Sequence, residues 1–493
     1  MYEYAAFLPI ILPIIGAILT YVFGKYSEKL QDIFLVAFST LLFILYTAYF
    51  IAIQADYIKP LAYNSIIWDA PGAFIACLVA FIGTLIIFYS FVYKDKTHYD
   101  NTYFIMYYLF MGTMIGLAST YNVVIMLIFL EAVTVISAVL ILFGRTKRAI
   151  HATYIYLGIS IIEVILVVAG AFILYNDAGT LDLNLLTTGS VSQNDMFLLA
   201  ILFLFGFGTK ASLVPLGLIW LPPAHSEGPP PISATMSGIL IETSAIAMIK
   251  AVYPFYQVSN VSTLILIIAG LGLINMFAGV IMALLSEDIK RLLAYSSISS
   301  LGYVFLGFGL ATPDAIYGAL AYIANHMLFK GGLFLVAGAL IFRVNTRRMH
   351  KMGGLVRQMP LTAICFLVMA LAISGVPFLN GFVSKELIYQ GSVQAGYPVY
   401  FSAFGIDFTI FAILGWLVSA LLFICFMRAF YVIFLGKPKE EHNAVSDPPI
   451  YMMLPILILA ALCIVIGIYP DLLSGALQYV ANMLFGLTHT SGI

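Results

Sequence analysis

Apolar stretches long enough to cross a bilayer recur along the chain, each separated from the next by a few polar, Gly or Pro positions. A helix needs about 20 apolar residues to cross a hydrocarbon core of roughly 30 Å. Fourteen stretches answer that description, beginning near Tyr4, Ile33, Pro71, Tyr103, Asn122, Ile150, Met196, Ile232, Val261, Leu292, Ala315, Leu361, Phe408 and Ile450. Hydrocarbon offers no partner for backbone N–H and C=O groups, so the pattern predicts an all-α integral membrane fold of about 14 spans. The stretch from Asp471 to Leu487 is short and weakly polar and predicts an interfacial helix.

Composition and charge sharpen this reading. Of 493 residues, 62% are hydrophobic and 9% charged, against roughly 25% charged in a soluble protein, which excludes a soluble fold. The connections from odd to even helices carry 17 of the 22 Lys and Arg residues: Lys25, Lys29, Lys94, Lys96, Arg145, Lys147, Arg148, Lys290, Arg291, Arg343, Arg347, Arg348, Lys351, Arg357, Lys437 and Lys439, with Arg428 at a helix end. The opposite connections hold Asp177, Asp182, Asp314 and Asp407, and only Lys59 and Lys250 lie on or near that side. Cytoplasmic loops hold the positive excess, so the alternation predicts both termini outside. Tyr4–Phe23 lacks a basic leader and a cleavage site and reads as a retained first span.

Other chemistries find little support. Cys77, Cys365, Cys425 and Cys463 are far apart in apolar context, which suits neither a disulfide framework nor an iron–sulfur cluster. His98, His151, His225, His326, His350, His442 and His489 show no ligand spacing, so no metal or cofactor is expected in this chain. The net charge of −1 and the absence of a Gly-rich phosphate loop give no sign of nucleic-acid or nucleotide binding.

Seven ionisable residues fall inside predicted spans: Glu131, Glu163, Lys210, Glu242, His326, Lys330 and Lys385. Each costs roughly 2.5 to 3.5 kcal/mol at a helix centre, so the set is expected to face the bundle interior and to be paired, hydrated or at work. Static ion pairs that lock the helices together would also account for them. His326 and Lys330 are four residues apart and share one helix face. His titrates near neutral pH, and burial brings a lysine towards it, so this pair suits a proton relay.

Two of the lysines sit where Pro and Gly interrupt a span: Lys210 in GFGTKASLVPLG, with Pro215, and Lys385 in ISGVPFLNGFVSKEL, with Gly375 and Pro377. Non-helical backbone is tolerated at membrane depth only where it lines a cavity or is buried in protein. The two breaks lie five spans apart, in helices seven and twelve, which predicts two inverted five-helix repeats, helices 4–8 and 9–13. The expected division is 1–99 for helices 1–3, 100–256 and 257–436 for the repeats, and 437–493 for the remainder.

The segments TKASLVPLGLIWLPPAHSEGPPPISATMSG, EDIKRLLAYSSISSLGY, NHMLFKGGLFLVAGAL and GVPFLNGFVSKELI, in this order, resemble the antiporter-like subunits shared by complex I, Mrp-type antiporters and membrane-bound hydrogenases. The resemblance covers roughly residues 100 to 435. It implies a proton path along the membrane plane, with Glu131 as the fifth-helix glutamate, Lys210 as its seventh-helix partner, His326 and Lys330 as the bridge on helix eleven, and Lys385 as the outlet. His225, in the AHSEGPPPISA turn, would shape proton uptake at the cytoplasmic end. One departure stands out: ILIETSA places Glu242 where relatives usually carry a lysine, so Glu242, with Glu163 or Lys250, becomes a candidate for an altered relay. Little sequence follows helix fourteen, so the long lateral arm of the largest relatives is not expected here.

Nothing in this sequence can harvest redox energy, so a partner is expected to drive it. The first expectation is a proton-translocating subunit beside other membrane subunits, driven by a peripheral redox arm whose own subunits hold iron–sulfur or nickel–iron centres. The second is a subunit of an Mrp-type Na+/H+ antiporter, with sodium as a further substrate. The third is a scaffold subunit with an inactive channel.

Overall fold

The computed structural model describes residues 3–97, 101–187, 189–258, 262–395 and 409–485. His98, Asp407, His489, Leu487 and the span starts at Val261 and Phe408 lie outside the described residues.

Helices α1 (Leu8–Tyr26) and α2 (Glu28–Gln54) lead through a small β-hairpin to α3 (Ala70–Thr97), α4 (Asn101–Ala118), α5 (Val123–Leu142) and α6 (Lys147–Ala178). Next come α7 (Gln193–Lys210) and α8 (Leu216–Glu227), then α9 (Pro230–Thr235), a π-helical turn at Met236–Leu240 and α10 (Ile241–Val252). After the short α11 (Pro254–Val258) follow α12 (Ser262–Leu285), α13 (Ile289–Leu310), α14 (Pro313–Val344), α15 (Pro360–Ser374) and α16 (Asn380–Ala395). The chain closes with α17 (Thr409–Phe430), α18 (Ile450–Ile468) and α19 (Asp471–Phe485).

Among the described residues, eleven helices are long and apolar enough to cross a membrane. The spans expected near Tyr103, Met196 and Leu361 fall on α4, α7 and α15, which are helical but shorter, at 18, 18 and 15 residues. Side-chain caps set several helix starts by accepting the first free N–H groups. Asn122 accepts from Val124 and Ile125 ahead of α5, Thr146 from Ala149 ahead of α6, and Asp288 from Lys290 and Arg291 ahead of α13.

Burial sorts centre from periphery. The rod from Pro230 to Tyr256 is 100% buried over its most apolar window and α13 is 94% buried, whereas α2 and α6 are 28% buried and present Leu, Ile and Phe outward. The polar-rich helices thus form the centre and the strongly apolar ones the rim. Small residues allow the close central contact between α12 and α13. A Cβ added at Gly279 would lie 2.3 Å from the Ser299 nitrogen, and one at Gly272 2.6 Å from that of Leu306.

The all-α expectation needs one correction. Leu61–Tyr63 and Ile66–Trp68 pair antiparallel, with Asn64 in the left-handed region at φ 49°. Two short β-prone triplets flanking Asn-Ser were the available signal. Trp68 stacks on Tyr49 at 3.6 Å, which packs this hairpin onto α2.

Both expected interruptions are present. The first runs from Ala211 to Pro215 between α7 and α8, and the second from Gly375, at φ +80°, to Leu379 between α15 and α16. Pro377 lies in the second gap. Freed backbone groups find side-chain partners. Asn275 of α12 accepts from the Val214 N–H at 2.9 Å and donates to Ser212 O at 3.0 Å, and Trp220 Nε1 donates to Thr209 O at 2.9 Å. At the second break, Asn325 of α14 donates to Asn380 O at 2.9 Å, and Asn380 Nδ2 returns a bond to Asn325 Oδ1 at 3.1 Å.

Candidate functional site

Lys210 is the last residue of α7, where the helix stops. Its ammonium lies 3.2 Å from Glu163 Oε2 and donates to Thr134 Oγ1 at 2.7 Å and Ser160 Oγ at 2.8 Å, over the Tyr156 ring at 4.4 Å. Tyr156, Ser160 and Glu163 recur at helical spacing on α6, so one stripe of that helix makes most of the pocket. Lys210 and Glu163 are both fully enclosed.

The expected pairing of Lys210 with Glu131 is therefore corrected: the carboxylate in contact is that of Glu163. Glu131 lies one turn before Thr134 on α5, is only half-buried, and interacts with Lys210 electrostatically without an ion-pair contact. On α5 it is Thr134, one turn further on, that reaches the ammonium, and sequence spacing does not reveal which turn of a helix meets a partner on another.

Glu242 meets His326 rather than Glu163. The Glu242 carboxylate and His326 Nδ1 are 2.5 Å apart, both groups are fully buried, and the π-helical turn ends two residues before Glu242. Such turns frequently mark functional positions in helices. Four residues on, Lys330 donates to Ser296 Oγ at 2.6 Å and Leu293 O at 3.3 Å. Lys330 also lies within electrostatic reach of Glu242 and Lys385.

Lys385, in the second half of the broken helix, donates to Ile373 O at 2.9 Å and Ser419 Oγ at 2.9 Å. Its ammonium lies 4.3 Å from the centre of the Tyr303 ring and 5.9 Å from that of Tyr322. Tyr322 stacks at 6.1 Å on His326, so aromatic faces join Lys385 to the Glu242–His326 pair. Among the described residues, no carboxylate forms an ion pair with Lys385 or Lys330.

His225 is buried between Trp220 and Phe334, with ring centres 6.1 and 5.7 Å away. Beside it stands a residue the sequence reading misplaced. Lys290, counted among the loop cations, is 2% exposed, and its ammonium donates to Gly228 O at the end of α8. It occupies the first turn of α13, and the negative end of α8 draws its side chain inward. Arg347 closes this end, holding Glu227 at 3.1 Å, Asp288 at 3.0 Å and Ser226 O at 2.6 Å. Lys250, placed near a helix end by its sequence, is also buried and donates to Ala118 O at 2.5 Å.

The buried acid, base and hydroxyl groups thus gather in two clusters, Lys210 with Glu163 at the first broken helix and Lys385 with Lys330, His326 and Glu242 at the second. Residues 120–411 match the family described as NADH:quinone oxidoreductase/Mrp antiporter, TM. The chain belongs to this family. It is 30% identical to hydrogenase-4 component B of Escherichia coli over 84% of its own length and 64% of that protein, and 30% identical to a Na(+)/H(+) antiporter subunit of Alkalihalophilus pseudofirmus over 81% of each. It spans 61 to 64% of the first curated relatives it matches. Its fold matches a chain of the Mrp complex from Dietzia sp. DQ12-45-1b at a TM-score of 0.85, with 20% identity over 98% of both chains.

Within this family member, sequence reasoning missed, besides the cation Lys290, a set of neutral residues: Thr134, Tyr156, Ser160, Ser296, Ser419, Tyr303, Asn275, Asn325 and Asn380. Polar residues in apolar spans were the signal for them, but the chain has many such residues, and only the fold selects those that face a lysine or a break.

Proposed function

We propose that this chain moves protons along the plane of the membrane, from Lys210 with Glu163 and Glu131, through Glu242–His326 and Lys330, to Lys385. The observation that carries this reading is the contact between Glu242 and His326, within electrostatic reach of Lys330 and Lys385. A carboxylate against an imidazole can pass a proton either way with little movement, and Lys330 and Lys385 lie close enough to bias it. A base at position 242 would face His326 across 2.5 Å and repel its protonated form; an acid there attracts it. The exchange of lysine for Glu242 therefore keeps the relay and changes its charge pattern. At the basic end, Lys290, His225 and the Arg347 clamp would handle uptake.

In this reading α4, the α7–α8 pair and the α15–α16 pair also cross the membrane, giving fourteen spans with both termini outside and α19 at the interface. The two breaks belong to inverted repeats, 100–256 and 257–436, between the parts 1–99 and 437–493. Other membrane subunits complete the assembly, and a redox arm with iron–sulfur or nickel–iron centres supplies the energy. The likeness to a hydrogenase component supports that driver. The likeness to the Alkalihalophilus antiporter protein, over four fifths of its length, supports a second reading as part of a Na+/H+ antiporter, with sodium as a substrate.

The test is to purify the intact complex in mild detergent, identify its subunits and metals, and follow proton uptake into vesicles. Iron–sulfur or nickel subunits together with proton uptake lost in Lys385→Met carry the first reading. Membrane subunits alone, with uptake driven by a sodium gradient, carry the second. Unchanged uptake in Lys210→Met and Lys385→Met sinks both and leaves a scaffold.

A further inference from the structure

Away from the row of charges, one cavity of about 410 Å³ opens at the end of the bundle opposite the Arg347 clamp. It lies where the connections 55–69, 119–122 and 179–192 meet the end of α10, and Asp69, Tyr121, Asn184 and Lys250 supply its polar lining. Asp69 is 7% exposed and Lys250 2%. Both ionisable groups are thus withdrawn from the surface, yet they border a space wide enough for several waters.

Their contacts form one unit. The Lys250 ammonium lies 4.1 Å from the centre of the Tyr121 ring and donates to Ala118 O, the last carbonyl of α4. The hydroxyl of the same tyrosine donates to Asp69 Oδ2 at 2.6 Å, and Asp69 Oδ1 accepts from the Gly72 N–H at 2.9 Å in the first turn of α3. Among the described residues, Lys250 has no carboxylate at ion-pair distance; Asp69 acts on it only through the field. A cation held by a ring face and one carbonyl in a cavity is less tightly committed than Lys210 against Glu163. Lys250 also stands eight residues beyond Glu242 on α10, about 12 Å along the axis.

We propose that Lys250, Tyr121 and Asp69 form a second proton-exchange site, which connects the Glu242–His326 pair to the side of the membrane opposite the basic connections. It rests on the proton-path reading above and adds an opening to it, distinct from Lys385. The proton leaves the Lys250 ammonium for water in the cavity, leaving a neutral amine; Asp69 favours the charged form and so sets when release occurs. Glu242, eight residues earlier on α10, is the group that reprotonates Lys250.

The test uses the intact complex in vesicles with an internal pH dye. Asp69→Asn keeps the acceptor for Gly72 and removes the charge; Lys250→Arg keeps the cation and its carbonyl contact but cannot release a proton near neutral pH. Each is expected to slow proton movement about tenfold or more, with an unchanged unfolding temperature. Asn184→Cys, combined with Cys77→Ala, is expected to slow transport when a membrane-impermeant thiosulfonate is added from the side of the 55–69 connection, and not from the other. Full transport in Lys250→Arg and Asp69→Asn, with transport lost in Lys385→Met, overturns the second site and leaves the main path standing. Full transport in Lys210→Met and Lys385→Met overturns the path and this site with it.

Discussion

The two broken helices hold their lysines in opposite ways. At the first, Asn275 and Trp220 bond the freed backbone, and Lys210 is left to a carboxylate and two hydroxyls. At the second, Lys385 itself donates to the freed carbonyl of Ile373, and its other partners are a serine and tyrosine faces. An ammonium paired with an anion keeps its proton; one surrounded by neutral oxygens and rings gives it up more easily. In the proposed path, the contrast sets Lys210 as the holding end and Lys385 as the releasing end.

The strongest way to break this comparison is Glu163→Gln. It leaves a buried ammonium with no counter-charge in contact, so a loss of about 3–5 kcal/mol is expected in detergent unfolding, together with lost proton transport. Lys385→Met should also end transport but cost less stability, about 1–3 kcal/mol for an unpaired carbonyl and hydroxyl. An equal stability loss in both variants would mean that the second lysine is no less committed than the first.

Asn275→Ala probes the backbone of the first break. It strands the Val214 N–H and Ser212 O, with an expected loss of about 1–3 kcal/mol, while Lys210 keeps its carboxylate. The smallest stability effect, about 0–1 kcal/mol, is expected for Glu131→Gln, because Glu131 is half-buried and touches no cation. If Glu131→Gln instead matches Glu163→Gln in unfolding, the assignment of Glu163 as the lysine's partner is wrong. Proton-uptake rates in the same series sharpen the order: both glutamate variants should slow uptake, Glu163→Gln more.

Much of the site was legible before the fold was known. Charges inside apolar stretches have few explanations, so Glu163, Lys210, Glu242, His326, Lys330 and Lys385 stood out. Pro215, Gly375 and Pro377 marked the two breaks because proline and glycine disturb a helix by their own covalent structure. Lys290 and Asp69 did not stand out, since each lies near a helix start, where charge is ordinary; burial there depends on which neighbouring helix closes over it. The hairpin at 61–68 was hidden for a similar reason: six residues carry little pattern, and tertiary contacts such as Trp68 on Tyr49 and Tyr63 on Phe7 hold it in place.

By itself, then, the sequence determined that this is a helical membrane protein, where its helices break and which charges fall inside its apolar stretches, because hydrophobic length, backbone propensity and the cost of a buried charge are local properties. Only the tertiary structure decided the pairings: Lys210 with Glu163 instead of Glu131, Glu242 with His326, Lys385 with a freed carbonyl, and Lys250 with Tyr121 beside Asp69. Each pairing joins residues from different helices. Helical spacing orders groups on one helix face, but the rotation and depth of one helix against another are set by packing across the whole bundle.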